Sequence, residues 1–301
     1  MIRTGSPPRR RGAETFGSLR RVAASPCRRV GEVVAYAVLA GGVLVWAFPV
    51  LWIGLTSFKP RTAIFSVPPK LLFAPTLEHY QTALATQGIL PSIRNSLLIA
   101  TASTLLALVV AVPAGYGYAR LRFRGRGQLA FYTLFTNMAP PIGLLIPYFF
   151  FLNRLRLMDT YVGLIAVYLT FSVPFAIWLM ITYFQDLPSE LEEAAAVDGA
   201  GRLATLVRII LPQVRGGIAV TAVFSFINAW NEFLYAAVLT GNATRVATVA
   251  LFGFLSTEEN LWGPFAATGV MIMGPVILVA LVAQRQIVHG LTLGAMRPAR
   301  R

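Results

Sequence analysis

The chain has 301 residues, 56% hydrophobic and 13% charged, with a net charge of +14 and a mean hydropathy of +0.66. Soluble domains carry about 25% charged residues, and a core of this length cannot hide so much apolar surface, so a soluble globular fold is excluded. Disorder is excluded by the same figures, which leaves a polytopic membrane protein.

The first 30 residues are rich in Arg, Pro and Gly, with arginines at 3, 9, 10, 11, 20, 21, 28 and 29. They read as a partly disordered arm, ordered by membrane lipid or a partner. From residue 31 to 301 the sequence reads as one membrane domain. A bilayer core about 30 Å thick needs about 20 apolar residues per helical span. Six stretches qualify: 33–58, 95–119, 128–152, 161–183, 217–240 and 264–284. Their long apolar runs lack the alternation of barrel strands, so the fold is an all-α integral membrane protein.

The first span is no cleavable signal peptide, because Thr56-Ser-Phe-Lys-Pro60 follows where small cleavage-site residues should stand. Loop 59–93 carries Pro60, Pro68, Pro69, Pro75 and Pro91 and is expected to be extended and semi-rigid. Within the spans, Pro113, Pro140-Pro141, Pro147, Pro174 and Pro275 each remove a helix hydrogen bond and permit a kink. Gly115-Tyr-Gly117 reads as close helix packing.

Basic residues set the orientation. The N-terminal arm, the run Arg120–Arg126, the connection 184–216 and the tail after 284 together hold 19 Lys and Arg; the other connections hold seven. Both termini are therefore expected in the cytoplasm. Bases placed between apolar blocks point to membrane topology and not to nucleic acid.

Chemistry is sparse. No Gly-x-Ser-x-Gly elbow exists, and neither lysine is followed by Ser or Thr, so there is no Walker A loop. Cys27, His79 and His289 are the only cysteine and histidines, which excludes a Cys/His zinc site. Any nucleotide-driven step must use another chain.

Connection 184–216 is the informative segment. Ser189 with Glu192 fits a capping box, Glu190 to Asp198 is good helix material, and Gly199 can take a left-handed turn. A second short helix over 202–210 is expected to stop at Pro212. Two short helices joined by a glycine turn should result. In the fifth span, Thr221, Ser225, Asn228, Glu232 and Tyr235 fall within about 80° on a helical wheel. A charge near mid-membrane costs about 3 kcal/mol, so Glu232 should face the bundle interior or water.

Glu193-Ala194-Ala195, Asp198-Gly199-Ala200 and Ile209-Ile210-Leu211-Pro212 together resemble the EAA signature of permease subunits in bacterial ABC importers. Asn95-Ser-Leu97, Met158-Asp-Thr-Tyr-Val-Gly163, Asn228-Ala-Trp-Asn-Glu-Phe-Leu-Tyr235 and the run from Gln284 to Ala295 are similar to the carbohydrate branch, specifically its shorter maltose-type permease subunit. The resemblance covers about 33–296. It departs at Gln213-Val-Arg-Gly-Gly217, where a proline is usual, and in the tail Gly294-Ala-Met-Arg-Pro-Ala-Arg-Arg301.

The resemblance implies a type I importer permease in the bacterial inner membrane, for a sugar or sugar-like solute (oligosaccharide, disaccharide or polyol). It implies a second homologous permease, two cytoplasmic ATPase subunits that bind ATP and Mg, and an extracytoplasmic solute-binding protein. The chain itself would hold no cofactor and catalyse nothing. Glu190, Glu193, Ala194, Ala195, Asp198, Gly199, Leu211 and Pro212 would couple to the ATPase. Ser225, Asn228, Asn231, Glu232 and Tyr235 would form the translocation path or gate. A non-sugar ABC permease is one alternative. An ion-coupled secondary transporter is another, although Glu232 alone is clearly intramembrane; a membrane enzyme lacks a His, Asp or Cys cluster in the spans.

Overall fold

The structure, a computed structural model, describes residues 26–86, 88–255 and 261–295, with side chains over 33–85, 88–255 and 261–284. Most of the arginine-rich arm and the end of the tail lie outside these. The helices are α1 (Pro26–Phe58), α2 (Arg61–Ile64), α3 (Glu78–Thr86), α4 (Ile89–Arg120), α5 (Arg126–Phe135), α6 (Pro141–Arg154) and α7 (Tyr161–Gln185). There follow α8 (Glu190–Val197), α9 (Arg202–Thr205), a π turn (Leu206–Ile210), α10 (Leu211–Gln213), α11 (Arg215–Asn231), α12 (Leu234–Leu239), α13 (Ala247–Phe252) and α14 (Trp262–Ala295). Among the described residues there is no strand.

The chain divides into two units, one through Leu51 and one from Trp52 onward. In the first, α1 is apolar on every side from Val33 onward and passes Pro49 without ending. An element with no polar face suits lipid.

In the second unit α4 and α7 pack along each other. Gly115 permits the approach, because a Cβ there would sit 2.7 Å from Met180 Cβ. One buried cluster joins α4, α6, α7, α11 and α12 around Tyr168, Phe226, Trp230 and Tyr235. A second joins the far ends of α4 and α7, through Tyr116, Met180 and Phe184, to Leu206, Ile210 and Val214.

Four helices are long and apolar enough to cross a membrane, and six spans result if each bent pair counts as one. Several expected boundaries need correction. The second span begins at Ile89, not 95: Pro91 sits in its first turn, where its missing N–H costs no bond. Loop 59–93 is not wholly extended, since it holds α2 and α3. The third span is broken, with α5 and α6 bent by 87°. A residue before proline is driven out of the helical region, and here Ala139 and Pro140 both precede one. Both are extended, at ψ 130° and 125°. The fifth span also breaks: α11 ends at Asn231 and Glu232 is extended, at ψ 125°.

Gly217 seats α11 against α7. A Cβ there would lie 2.4 Å from Tyr183 Cγ, so the ring would have to move. Gly217→Ala should therefore cost about 1–3 kcal/mol, read as a lower Tm of the detergent-solubilised protein. Gly216→Ala is the control, because its Cβ would meet nothing within 4 Å.

Candidate functional site: a helical loop and an aromatic cavity

α8 turns its Ala195 inward and half-buries Leu191; Glu190, Glu193, Ala194, Asp198 and Gly199 are exposed. Beside them stand two bare apolar side chains, Val197 at 89% and Leu203 at 74% exposure. Gly199 has φ +78° and ends α8 as expected. Its N–H donates to Ala196 O and the Ala200 N–H donates to Ala195 O, so two orphan carbonyls are satisfied.

The capping box does not form. Ser189 has helical backbone angles and makes no side-chain cap bond. Glu192 is drawn instead to Arg120 at the end of α4, 3.0 Å away. Nor does the second helix stop before Pro212. The Leu211 N–H reaches back to Leu206 O, a π step. The chain thereby carries Pro212, which has no N–H, on into α10. Leu211 is half-buried and Pro212 exposed.

The second feature is a cavity of about 1090 Å³ walled by α5, α6, α7, α11 and α12. Its polar lining includes Asn137, Tyr148, Thr170, Asn228, Glu232 and Tyr235, with no Lys, Arg or His. Phe171 and Tyr235 are stacked, 12° apart in plane with centroids 6.2 Å apart. Tyr148 meets Tyr235 edge-on and donates its hydroxyl proton to Thr170 at 3.0 Å. The break after α11 is what brings Glu232 round: its Oε1 accepts the Tyr235 N–H at 2.9 Å and caps α12. Thr248 donates to the Glu232 carbonyl from the next segment.

Of the residues expected on the path, Asn228, Glu232 and Tyr235 line this cavity. Thr221 and Ser225 do not, being fully buried between helices. Asn231 is exposed but outside the lining. The wheel fails beyond Asn231 because Tyr235 belongs to a different helix.

The residues that hold the cavity's α12 wall were not identified from sequence as a site. Asp159 Oδ1 accepts from Gly241 N, Thr244 N and the Thr244 hydroxyl, and Oδ2 accepts from Ala243 N, at 2.7 to 3.1 Å. Burial alone would raise the Asp159 pKa, but these four donors outweigh it and hold the carboxyl below its ordinary value. From α4, Asn95 donates to Ala243 O and Arg245 O and accepts from the Tyr161 hydroxyl, while Ser96 Oγ accepts from Ala247 N. The segment 241–247 is strapped from two sides. Its signal lay in the noted runs Asn95-Ser-Leu97 and Met158–Gly163.

Comparison with known proteins agrees with this architecture. The family described as "Binding-protein-dependent transport system inner membrane component" matches residues 104–292. A probable ABC transporter permease protein, y4oR, of Sinorhizobium fredii is 36% identical over 253 residues, covering 84% of this chain and 91% of that one. The trehalose/maltose transport system permease protein MalG of Thermococcus litoralis is 33% identical over 274 residues, covering 88% and 98%. Among solved structures, a chain of a bacterial ABC transporter involved in the import of the acidic polysaccharide alginate superposes with a TM-score of 0.70. It is 24% identical and covers 87% of this chain and 98% of its own. That likeness is one of fold.

Proposed function

Because the chain belongs to the family of inner membrane components of binding-protein-dependent transport systems, we propose that it forms half of the translocation pathway of an ATP-driven importer for a sugar or sugar-like solute. It is an inner membrane ABC permease. In this reading a second homologous permease completes the cavity. Two ATPase subunits, which bind ATP and Mg, dock on the 184–216 loop, and an extracytoplasmic protein delivers the solute. The bias of Lys and Arg supports a cytoplasmic side for that loop and both termini in this reading.

The observation that carries the reading is the loop itself. A helix eight residues long exposes Glu190, Glu193, Val197 and Asp198 together, with Leu203 across a left-handed glycine turn. Apolar side chains this bare, ringed by carboxylates, suit a protein groove better than water. The solute class is supported by the trehalose/maltose relative and by the cavity's chemistry. Hydroxyl and amide groups can replace a sugar's water hydrogen bonds, and the Phe171–Tyr235 pair offers it an aromatic face.

Gly199→Val should distort the turn, since a β-branched residue at φ +78° is strained. Glu193→Lys reverses a charge on the exposed face. Both variants should insert normally yet retain about tenfold less of the ATPase chain that co-purifies with the unaltered protein, a loss of about 1.4 kcal/mol. Undiminished ATPase in both preparations would refute the docking reading.

A further inference from the structure

An eight-residue helix does not hold itself in water, and α8 lacks its Ser189 cap. Something else must fix it. Arg120, the last residue of α4, places Nε 3.0 Å from Glu192 Oε1 and donates from Nη2 to Leu187 O at 2.6 Å. The two side chains are only 14% and 24% exposed, so water screens the pair weakly. The Arg120 Nε and Glu192 Oε1 atoms make no well-directed hydrogen bond, so the attraction is chiefly Coulombic. The Tyr116 hydroxyl, one turn back on α4, faces Glu192.

The other end of the loop is built differently. Between α9 and α11 the chain passes a π turn and then bends by 77°. A displacement of α8 is not delivered along a straight rod into α11. α4 is continuous instead: its 32 residues pass Pro113 without a break and set Arg120 about 38 Å from the Asn95 strap. Along that length it packs on α7, whose Thr170, Phe171, Pro174 and Phe175 wall the cavity.

We propose that the Arg120–Glu192 ion pair is the positioning link that makes α8 move with α4. A push on the exposed face of α8 then reaches the α4–α7 pair and the cavity, while the π turn and bend over 206–214 take up the difference. The inference rests on the reading that an ATPase docks on α8. It adds a route through α4, carried by a residue outside the loop.

The test needs no knowledge of the solute. In a Cys27→Ser background, Thr136→Cys places a single thiol in the cavity wall, where N-ethylmaleimide reports access. The co-purified complex in lipid vesicles is labelled with and without ATP plus vanadate. Coupled elements typically shift an equilibrium by about 5–150-fold, so nucleotide should change the labelling rate by about tenfold. With Glu192→Gln the change should fall below about twofold while the ATPase still co-purifies. The reversed pair Arg120→Glu with Glu192→Arg should regain about half of the response, which ties the loss to the pair itself, and the ATPase retained by Glu192→Gln is what a merely structural role would not predict. A full response in Glu192→Gln, loss of the ATPase from it, or silence in the reversed pair each overturns the link. Absence of any response in the unaltered protein would instead sink the docking reading on which the link rests.

Discussion

Asp159→Ala is expected to lower the stability of the solubilised protein by about 3 kcal/mol and to loosen the α12 wall of the cavity. Hydrogen bonds to a charged group contribute about 1.5–3 kcal/mol each, but four on one carboxylate are not additive and solvent reaches this one. Asp159 also holds φ +52°, a conformation that Asp and Asn tolerate and alanine does not favour. Asp159→Asn separates the two contributions. It keeps the backbone angle and one acceptor, yet turns an NH2 group toward a backbone N–H, so about half of the loss should remain. The pH dependence has a definite sign. The folded carboxyl titrates below its ordinary value, so its contribution is complete above about pH 4 and disappears as pH falls through the folded pKa. Thermal melts of the wild type and Asp159→Asn should therefore differ by a constant amount above about pH 5 and converge in stronger acid. A gap that persists unchanged at pH 2, or no gap at pH 7, would show that the carboxylate does not hold the strap.

Most of the membrane architecture was legible, because it follows from composition and run length. The apolar stretches, the glycine turn at Gly199 and the close approach at Gly115 each rest on a local rule that the fold obeys. What escaped the sequence is what depends on partners far along the chain. Ser189 and Glu192 fit a capping box by spacing, but Arg120 offers Glu192 a full charge in a poorly hydrated corner, and the ion pair prevails. Asp159 binds residues more than 80 positions away, and Asn95 residues about 150 away, so no spacing rule could reveal them. The break at Glu232 has neither Pro nor Gly to announce it. Its only signature is a carboxylate three residues before the amide it caps, a pattern easily lost inside an apolar run.

That break alters what Glu232 should do. A carboxylate near mid-membrane costs about 3 kcal/mol unless something compensates it. Here the Tyr235 N–H accounts for one oxygen, and the cavity receives the side chain. The carboxylate thus has two duties: it starts α12, and it gives the cavity its one acidic group. Glu232→Ala removes both. Losing the cap should cost about 1 kcal/mol, too little to unfold a protein of this size. Uptake should fall about tenfold as α12 loses its start and Tyr235 its fixed ring position, a barrier increase of about 1.4 kcal/mol. The complex should still assemble, and its ATPase should still turn over. Glu232→Gln keeps a side-chain oxygen for the Tyr235 amide and gives up the charge, so both stability and uptake should stay near wild type. The two variants decide between the roles. If Gln is as poor as Ala in uptake, the charge matters and the cap is incidental. If Ala fails to assemble, Glu232 ties this span together and the cavity is no path. If Ala transports normally, the acid is needed for neither.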